Sequence, residues 1–291
     1  MTILTVRHRT TYRYGAPVTF GDHRMMFRPR DSHDLKLLET GLTISAPCTV
    51  RWMHDVFGNS IAIARFEAPA QELIFDSYFR AEHFPAEPEM LEIEPFAEHL
   101  PFSYASDEIP DLGRRAQRQY PDPEHVVDLW AKSFLESGPG QGTLDVLNAM
   151  SHAIKADFYY TRREDPGTQD PVETLTSKQG SCRDFALLMM EAVRSLGMAA
   201  QFVSGYLYDE ALIGAAGGMV GGGETHAWLQ VYLPGAGWID FDPTNALVGG
   251  RNLIRVAVAR DVTQAAPLTG SFTGAPGDDL GMLVDVTVTA E

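Results

Sequence analysis

The first hundred residues alternate between apolar and polar positions in many short segments. Over residues 2–14 the alternation is regular, and β-branched and aromatic residues are frequent, which is typical of a strand. Turn signals follow at residues 15–17, with the sequence Gly-Ala-Pro, and at residues 55–59. The further segments that we predict as strands are 35–45, 49–54, 60–66 and 73–79. This succession of short strands and turns predicts an N-terminal β-sandwich.

Helical spacing replaces the alternation after residue 120. Asp122, followed by a proline in the first turn, predicts a helix that ends near residue 137. Thr143 can cap a second helix, in which apolar residues recur at helical spacing: Leu144, Leu147, Met150 and Ile154. Residues 158–180 show neither the alternation typical of a strand nor the apolar spacing typical of a helix, and they are predicted as loop.

A third helix is predicted over residues 182–196, because Gly197 stands where a helix commonly ends. Alternating patterns then return in four segments, which we predict as strands: 200–207, 226–233, 238–242 and 283–289. Residues 214–223 are rich in glycine and lack the Lys and Ser or Thr of a phosphate-binding loop. We expect them to form a flexible flap beside His226, with a plain disordered linker as the alternative.

The length of 291 residues suggests two domains. The acidic, proline-rich stretch 84–123 indicates a connector, with a boundary near residue 105. We therefore predict three parts: a β-sandwich over 1–105, a helical connector over 106–142, and an α+β core over 143–291 that includes the C-terminal strands.

The charge and cysteine content exclude several classes of protein. The net charge of −16 argues against broad binding to nucleic acid or to an anionic membrane. No run of 18 apolar residues occurs, and Arg7 and Arg9 interrupt the N-terminus before an apolar run of signal-peptide length, so we expect a cytoplasmic protein without a membrane span. Two cysteines cannot form a disulfide scaffold or a Cys-rich zinc module, and Cys48 is expected to pack as a small apolar residue.

The other cysteine, Cys182, stands at a predicted helix start. Ser181 and Asp184 have the spacing of a capping box, which places Cys182 in the first turn. A thiol there lies at the positive end of the helix dipole, which favours the thiolate. The structural alternative is a buried, inert cysteine.

A histidine and two aspartates follow in the two segments predicted as strands over 226–233 and 238–242. His226 lies 44 residues after Cys182, and Asp242 lies 16 residues after His226, with a hairpin signal at 234–237 between them. Side chains alternate along a strand, so His226 and Asp242 share a face in only one of the two register parities. A nucleophile, a base and an acidic residue that orients the base form an activated thiol site.

These residues lie in motifs that resemble the core of the transglutaminase-like superfamily, namely GSCRDFALLMMEAVRSLGMAAQFVSGYL and THAWLQVYLPGAGWIDFDPTNA. The resemblance implies a papain-like fold with Cys182 as nucleophile, His226 as base and Asp242 as the orienting residue. Asp240, two residues earlier on the same nominal face, is kept as an alternative. The segments TVRHRTTYRYGAPVTFGDHRMMFRPR and DVFGN are similar to the N-terminal β-domain of bacterial members. GRNLIRVAVARDVTQAAPLTG resembles their C-terminal region, with Val262 where the family usually has an aromatic residue.

The resemblance implies acyl transfer or hydrolysis at the amide bonds of a peptide or protein substrate, through a thioester and without a cofactor or metal. By analogy with the family, we expect peptidase or amidase activity rather than cross-linking. Aromatic donors stabilise the oxyanion in relatives, which makes Tyr159 and Tyr160 candidates for this role. Two alternatives remain open: a non-catalytic peptide-binding module on the same fold, and a zinc site formed by Cys182, His226 and Asp242.

Overall fold

The computed structural model describes residues 2–85, 91–135, 140–162, 167–208 and 224–291. The glycine-rich segment 214–223, predicted as a flap, and the predicted helix end near residue 137 lie outside these residues. The described chain forms the expected α+β fold, with two antiparallel sheets in the N-terminal part and one antiparallel sheet with helices in the core.

The N-terminal strands form a sandwich of two sheets. The strands of the first part of the chain are β1 (Thr2–Phe20), β2 (His23–Met25), β3 (Leu35–Ile44), β4 (Cys48–His54), β5 (Ser60–Phe66) and β6 (Ala70–His83). One sheet contains β1, β6 and β3 in that order, and the other contains β2, β5 and β4. Apolar side chains from both sheets, among them Val18, Met25, Ala64 and Phe75, are buried in one cluster between them.

Strand β1 passes through the predicted Gly-Ala-Pro turn, so that prediction is wrong. The pairing of β1 with β6 shifts register between Arg13 and Val18, which accommodates the irregular segment as a bulge. Across the other edge of β1, the Gly15 N–H donates to the carbonyl of Asp278 at 2.8 Å. A strand far along the sequence therefore satisfies the backbone at this point, and local turn signals do not report such a partner.

The C-terminal strands complete the N-terminal sheets. Strand β16 (Leu268–Thr269) pairs with β2, and β17 (Phe272–Thr273) pairs with the C-terminal end of β1. Strand β18 (Asp279–Ala290) pairs with β1 between Leu4 and Tyr14. The predicted boundaries assign this segment to the core, and the pairing instead places it in the sandwich. Strand β18 belongs to the sandwich because it contributes apolar side chains to the interior of the sandwich. Val286, for example, is buried in one cluster with Leu4 and Val6 of β1.

The core contains a sheet with the strand order β14, β13, β12, β11, β15. Its strands are β11 (Ala200–Leu207), β12 (Thr225–Leu233), β13 (Gly237–Asp242), β14 (Leu247–Val248) and β15 (Leu253–Ala259). The segment of β15 lies in the part of the sequence that resembles the family's C-terminal region, for which no strand is predicted. Helices α3 (Thr143–Asp157) and α5 (Cys182–Ser195) share one buried apolar cluster with this sheet. Gly197 follows α5 with a φ of 86°, as its place at the helix end predicts.

Among its described residues, the connector holds three short helical segments: α1 (Glu108–Leu112), a 3₁₀ turn (Gly113–Ala116) and α2 (Val126–Ser133). Helix α2 begins four residues after the predicted cap, because His125 before it has a φ of 56°, which a continuous helix does not allow. The Asp122 carboxylate nevertheless caps α2 and accepts the N–H groups of residues 126, 127 and 128 at 2.8–3.2 Å. A two-residue pair, β7 (His99–Leu100) and β8 (Gln141–Gly142), joins the connector to α3.

The segment predicted as loop contains helix α4 (Pro171–Ser177) and two short strands, β9 (Tyr159–Tyr160) and β10 (Gln179–Gly180). Asp170 caps α4 by accepting the Val172 N–H at 2.9 Å, and proline stands in the first turn. This Asp-Pro signal was present in the sequence and was missed.

The sandwich packs directly on the core sheet. Leu4 and Phe79 of the sandwich share a buried cluster with Tyr206 and Ile254 of the core. Asn59, at the end of the turn 55–59, pairs through its side-chain amide with both backbone groups of Val258, at 2.7 and 2.9 Å. Within the described ranges, no helix combines the length and apolar character that crossing a membrane requires.

Candidate active site

Cys182 is the first residue of α5, and the helix start around it is held by hydrogen bonds. Oδ2 of Asp184 accepts both the N–H and the hydroxyl of Ser181 at 2.8 Å, and Oδ1 accepts the Gln169 N–H at 2.7 Å. The predicted capping box is present. The Cys182 residue is 7% exposed. The thiol therefore stands on a fixed helix end, within the first turn whose N–H groups have no partner in the helix.

Strands β12 and β13 bring His226 and Asp242 together. In this hairpin Leu229 faces Phe241, so His226 and Asp242 lie on one face as diagonal neighbours. Nε2 of His226 is 2.8 Å from Oδ2 of Asp242, and both side chains are fully buried. Of the two possible register parities of this hairpin, the structure therefore has the one that places His226 and Asp242 on the same face.

The alternative aspartate, Asp240, has a different partner. It lies opposite Gln230 and accepts the indole N–H of Trp228 at 2.6 Å. The ring of Trp228 stacks on His226 with 6.0 Å between centroids and 25° between planes. Asp240 therefore holds the indole that packs on the imidazole, while Asp242 contacts the imidazole itself.

Further hydrogen bonds hold the Asp242 carboxylate in its charged form. Its Oδ1 accepts the Thr244 N–H at 2.9 Å, and its Oδ2 accepts the Asn245 amide at 2.8 Å. Burial by itself raises the pKa of Asp242, but the charge and hydrogen bond of His226, together with these two donors, lower it overall. Sequence reasoning missed Asn245, although the Asp-Pro-Thr-Asn turn could have indicated it.

The imidazole of His226 is electrostatically coupled to Cys182 as well as to Asp242. Burial lowers the pKa of His226, whereas the Asp242 carboxylate and the Cys182 thiol raise it, with a result of about 10. Because Nε2 is bonded to Asp242, the buried Nδ1 is the ring atom available to the thiol. The site thus favours the imidazolium form of His226.

The two tyrosines predicted as oxyanion donors lie in different environments. Tyr159 is 79% exposed. Tyr160 is partly buried, its ring contacts that of Phe185 in α5, and its pKa is raised by burial and by the nearby Cys182 thiol. An ion pair of 2.7 Å between Arg162 and Glu224 links the segment after Tyr160 to the start of β12. Of the two candidates, Tyr160 is the one that packs against α5 and whose pKa responds to the thiol.

The alternative of a zinc site can be compared with this geometry. Zinc requires each ligand atom at about 2.0–2.3 Å from the ion. Nε2 of His226 and Oδ2 of Asp242 are instead hydrogen-bonded to each other. In the described ranges, no group of three or more His, Cys, Asp or Glu side chains is arranged to hold a metal ion. The geometry is that of a hydrogen-bonded pair next to a thiol.

Comparisons with known proteins agree with the motifs. The model of the transglutaminase-like superfamily matches residues 132–243, and that of the bacterial transglutaminase-like N-terminal region matches residues 4–82. An uncharacterized protein of Mycobacterium tuberculosis is 30% identical over 299 residues, which cover 97% of this chain and 91% of the relative. One of Mycobacterium leprae is 29% identical over 301 residues, with 98% of both chains covered.

Among solved structures, a protein of Cytophaga hutchinsonii, described as a candidate cysteine protease, superposes with a TM-score of 0.69. The superposition covers 99% of this chain and 90% of that one, at 18% sequence identity. This likeness extends over the sandwich, the connector and the core, and it supports the same overall fold.

Proposed function

The chain belongs to the transglutaminase-like superfamily, and on that premise we propose that it is a thiol-dependent enzyme that hydrolyses or transfers acyl groups at amide bonds of peptides or proteins. One observation carries the proposal. A fully buried His226–Asp242 pair of 2.8 Å leaves Nδ1 of the imidazole available to the thiol at the N-terminus of α5. A protein that only binds peptides has no use for this combination of nucleophile, base and orienting carboxylate.

The residues suit a two-step acyl transfer. The Cys182 thiolate attacks the carbonyl carbon, and a C–S bond forms. When the C–N bond of the tetrahedral intermediate breaks, the imidazolium of His226 gives its proton to the leaving amine or ammonia. Asp242 holds Nε2, so that Nδ1 carries the transferable proton, and its negative charge stabilises the imidazolium. Water or an amine then attacks the thioester and gives a proton to His226, and the C–S bond breaks to release Cys182 as the thiolate.

The negative oxygen of the intermediate requires donors. The N–H of Cys182, in the first turn of α5, has no partner in the helix and is one donor in the proposed mechanism. The hydroxyl of Tyr160 is the second, because Tyr160 lies within electrostatic contact of the thiol. Tyr159, which is largely exposed, is not part of the proposed site.

For the acceptor, we propose water rather than an amine, which makes the enzyme a peptidase or amidase. This choice rests on the family analogy alone and not on the geometry of the site. Cross-linking or amine incorporation is the alternative outcome of the test.

Product analysis by mass spectrometry tests the proposal. The purified protein is incubated with a mixture of synthetic peptides, with and without a primary amine, alongside the variants Cys182→Ala and Cys48→Ala. We expect cleaved, deamidated or amine-modified peptides with the wild type and with Cys48→Ala, and none with Cys182→Ala. Products that persist in Cys182→Ala, or peptides that stay unchanged while the protein binds them, would contradict an acyl-transfer enzyme. The second outcome would support the peptide-binding alternative.

A further inference from the structure

The two sheets of the sandwich diverge between their edge strands β3 and β4. A cavity of about 250 Å³ opens there, with walls from both sheets. Val50 and Trp52 of β4 pair with Ala64 and Ala62 of β5, whose side chains are buried between the sheets. Val50 and Trp52 therefore point toward the opposite sheet, and yet they are 41% and 51% exposed. The inner face of this edge strand is uncovered.

The cavity is lined by both apolar and polar side chains. Its apolar members include Met25, Phe27 and Leu42, and its polar members are Arg28, Thr40, Ser77 and Tyr78. The Tyr78 hydroxyl donates to the carboxylate of Glu39. The exposed guanidinium of Arg28 and the hydroxyls of Thr40 and Ser77 form no ion pair or hydrogen bond with the described ranges of the chain.

Several arginines of the sandwich are paired with carboxylates. Arg7, Arg65 and Arg80 each pair with a carboxylate, at 2.5–3.3 Å. Arg28, Arg30 and Arg51 form no ion pair with the described residues, and of these three only Arg28 lines the cavity, in a chain whose net charge is −16. An apolar pocket with a few polar groups that fix orientation is the usual form of a ligand site.

We propose that this cleft binds the C-terminal residue of a peptide whose last side chain is large and apolar. The side chain fills the cavity, and Arg28 takes the α-carboxylate in a two-pronged contact. The hydroxyls of Thr40 and Ser77 donate to the same carboxylate. The cavity is smaller than the roughly 300–1,000 Å³ that drug-sized ligands occupy, which suits a single residue. The C-terminal residue of a peptide suits this cleft because its Cα carries both an apolar side chain and a free carboxylate.

The edge strand favours a peptide over a small free acid. In the described ranges, β4 pairs only with β5, and residues 49–54 of β4 are exposed. Its outer edge therefore presents free N–H and C=O groups beside the cavity. Residues that precede the bound C-terminus can add a strand to β4 and gain main-chain hydrogen bonds there.

This binding site is independent of the proposed catalysis. All its lining residues belong to β2, β3, β4, β5, β6 or the segment that follows β2, and none is a residue of the candidate active site. The test therefore uses the Cys182→Ala protein, in which a bound peptide cannot be turned over by the proposed chemistry. Failure of catalysis and failure of this binding are then separate results.

Isothermal titration calorimetry compares three probes. The first is the peptide acetyl-Thr-Val-Thr-Phe with a free carboxylate, the second is its C-terminal amide, and the third is hydrocinnamate, which keeps the phenyl group and the carboxylate without a peptide chain. We expect the free acid to bind at least about tenfold more tightly than the amide and than hydrocinnamate. Arg28→Gln should reduce the affinity for the free acid by about tenfold and leave the amide unchanged.

Arg51→Gln is the matched control. Arg51 lies between Val50 and Trp52, and its side chain therefore points away from the cavity. It should leave all three affinities unchanged, and circular dichroism should show that both variants remain folded. The proposal is overturned if acid and amide bind equally, if Arg28→Gln has no effect, or if the acid does not bind at millimolar concentration. Equal binding of hydrocinnamate would indicate a site for small carboxylates and overturn the peptide assignment.

Discussion

Nε2 of His226 and Oδ2 of Asp242 lie 2.8 Å apart, and both side chains are fully buried. The contact crosses a hairpin diagonally, so it depends on the register of β12 and β13. A carboxylate in this position fixes the imidazole in one tautomer and supports its charged form.

Asp242→Asn tests the role of the carboxylate. The amide keeps the size of the side chain but lacks the charge, and it no longer requires a proton on Nε2 of His226. We expect kcat/KM for a peptide substrate to fall by roughly 10⁴-fold, the size of this effect in serine proteases. Asp240→Asn is the control, since an amide oxygen there can still accept the indole N–H of Trp228. A larger loss in Asp240→Asn than in Asp242→Asn would reverse the assignment.

The raised pKa of His226 predicts how stability varies with pH. The ordinary value is 6.5 and the folded value is about 10, so the folded state binds this proton more tightly than the unfolded chain. The stabilisation is therefore complete below pH 6.5 and is lost as the pH rises toward 10. Urea unfolding between pH 6 and pH 10 should show a steeper decline for the wild type than for His226→Gln. Parallel declines would show that the folded state does not raise this pKa.

Asp184→Ala tests the helix end. The substitution removes the acceptor of three hydrogen bonds, two from Ser181 and one from the Gln169 N–H, and leaves buried donors without partners. We expect the free energy of unfolding to fall by about 2 kcal/mol. Asp128→Ala, at an exposed ion pair in the first turn of α2, should cost less than about 0.5 kcal/mol. Similar losses in the two variants, measured by urea unfolding, would contradict a special role for the Asp184 network.

Tyr160→Phe and Tyr159→Phe separate the two oxyanion candidates. Loss of one oxyanion donor typically reduces kcat by about 10²–10³-fold. We expect a loss of this order in Tyr160→Phe, with KM little changed, because the hydroxyl acts on the intermediate rather than on the substrate. Tyr159→Phe should have the activity of the wild type, since Tyr159 is 79% exposed. Steady-state kinetics of the two variants that agree within error would remove Tyr160 from the proposed mechanism.

The sequence predicted the parts of the fold that depend on local signals. The apolar face, the capping box and Gly197 predicted α5 to within one residue, and alternation predicted β11 at its observed bounds. These signals lie within the elements themselves, so no distant partner was needed. Helix α4 had the same kind of signal in Asp170 and Pro171, and it was missed because the surrounding segment lacks apolar periodicity.

Features that depend on distant contacts could not be predicted. The passage of β1 through the Gly-Ala-Pro segment requires Asp278, which is more than 260 residues away. At the candidate site, sequence motifs gave Cys182 and His226, but the choice between Asp242 and Asp240 required the strand register. The assignment of Tyr160 likewise depends on where β9 lies relative to α5. The predicted cytoplasmic location stays a prediction.

The most direct test of an activated thiol is the rate at which iodoacetamide labels each cysteine at pH 7, measured by peptide mass spectrometry. Cys48 is the internal control, because burial and Glu67 raise its pKa and no catalytic partner is proposed for it. We predict that Cys182 reacts at least about tenfold faster than a free thiol, and that His226→Ala loses most of this excess without a change at Cys48. Equal, slow labelling of Cys182 in the wild type and in His226→Ala would contradict the account.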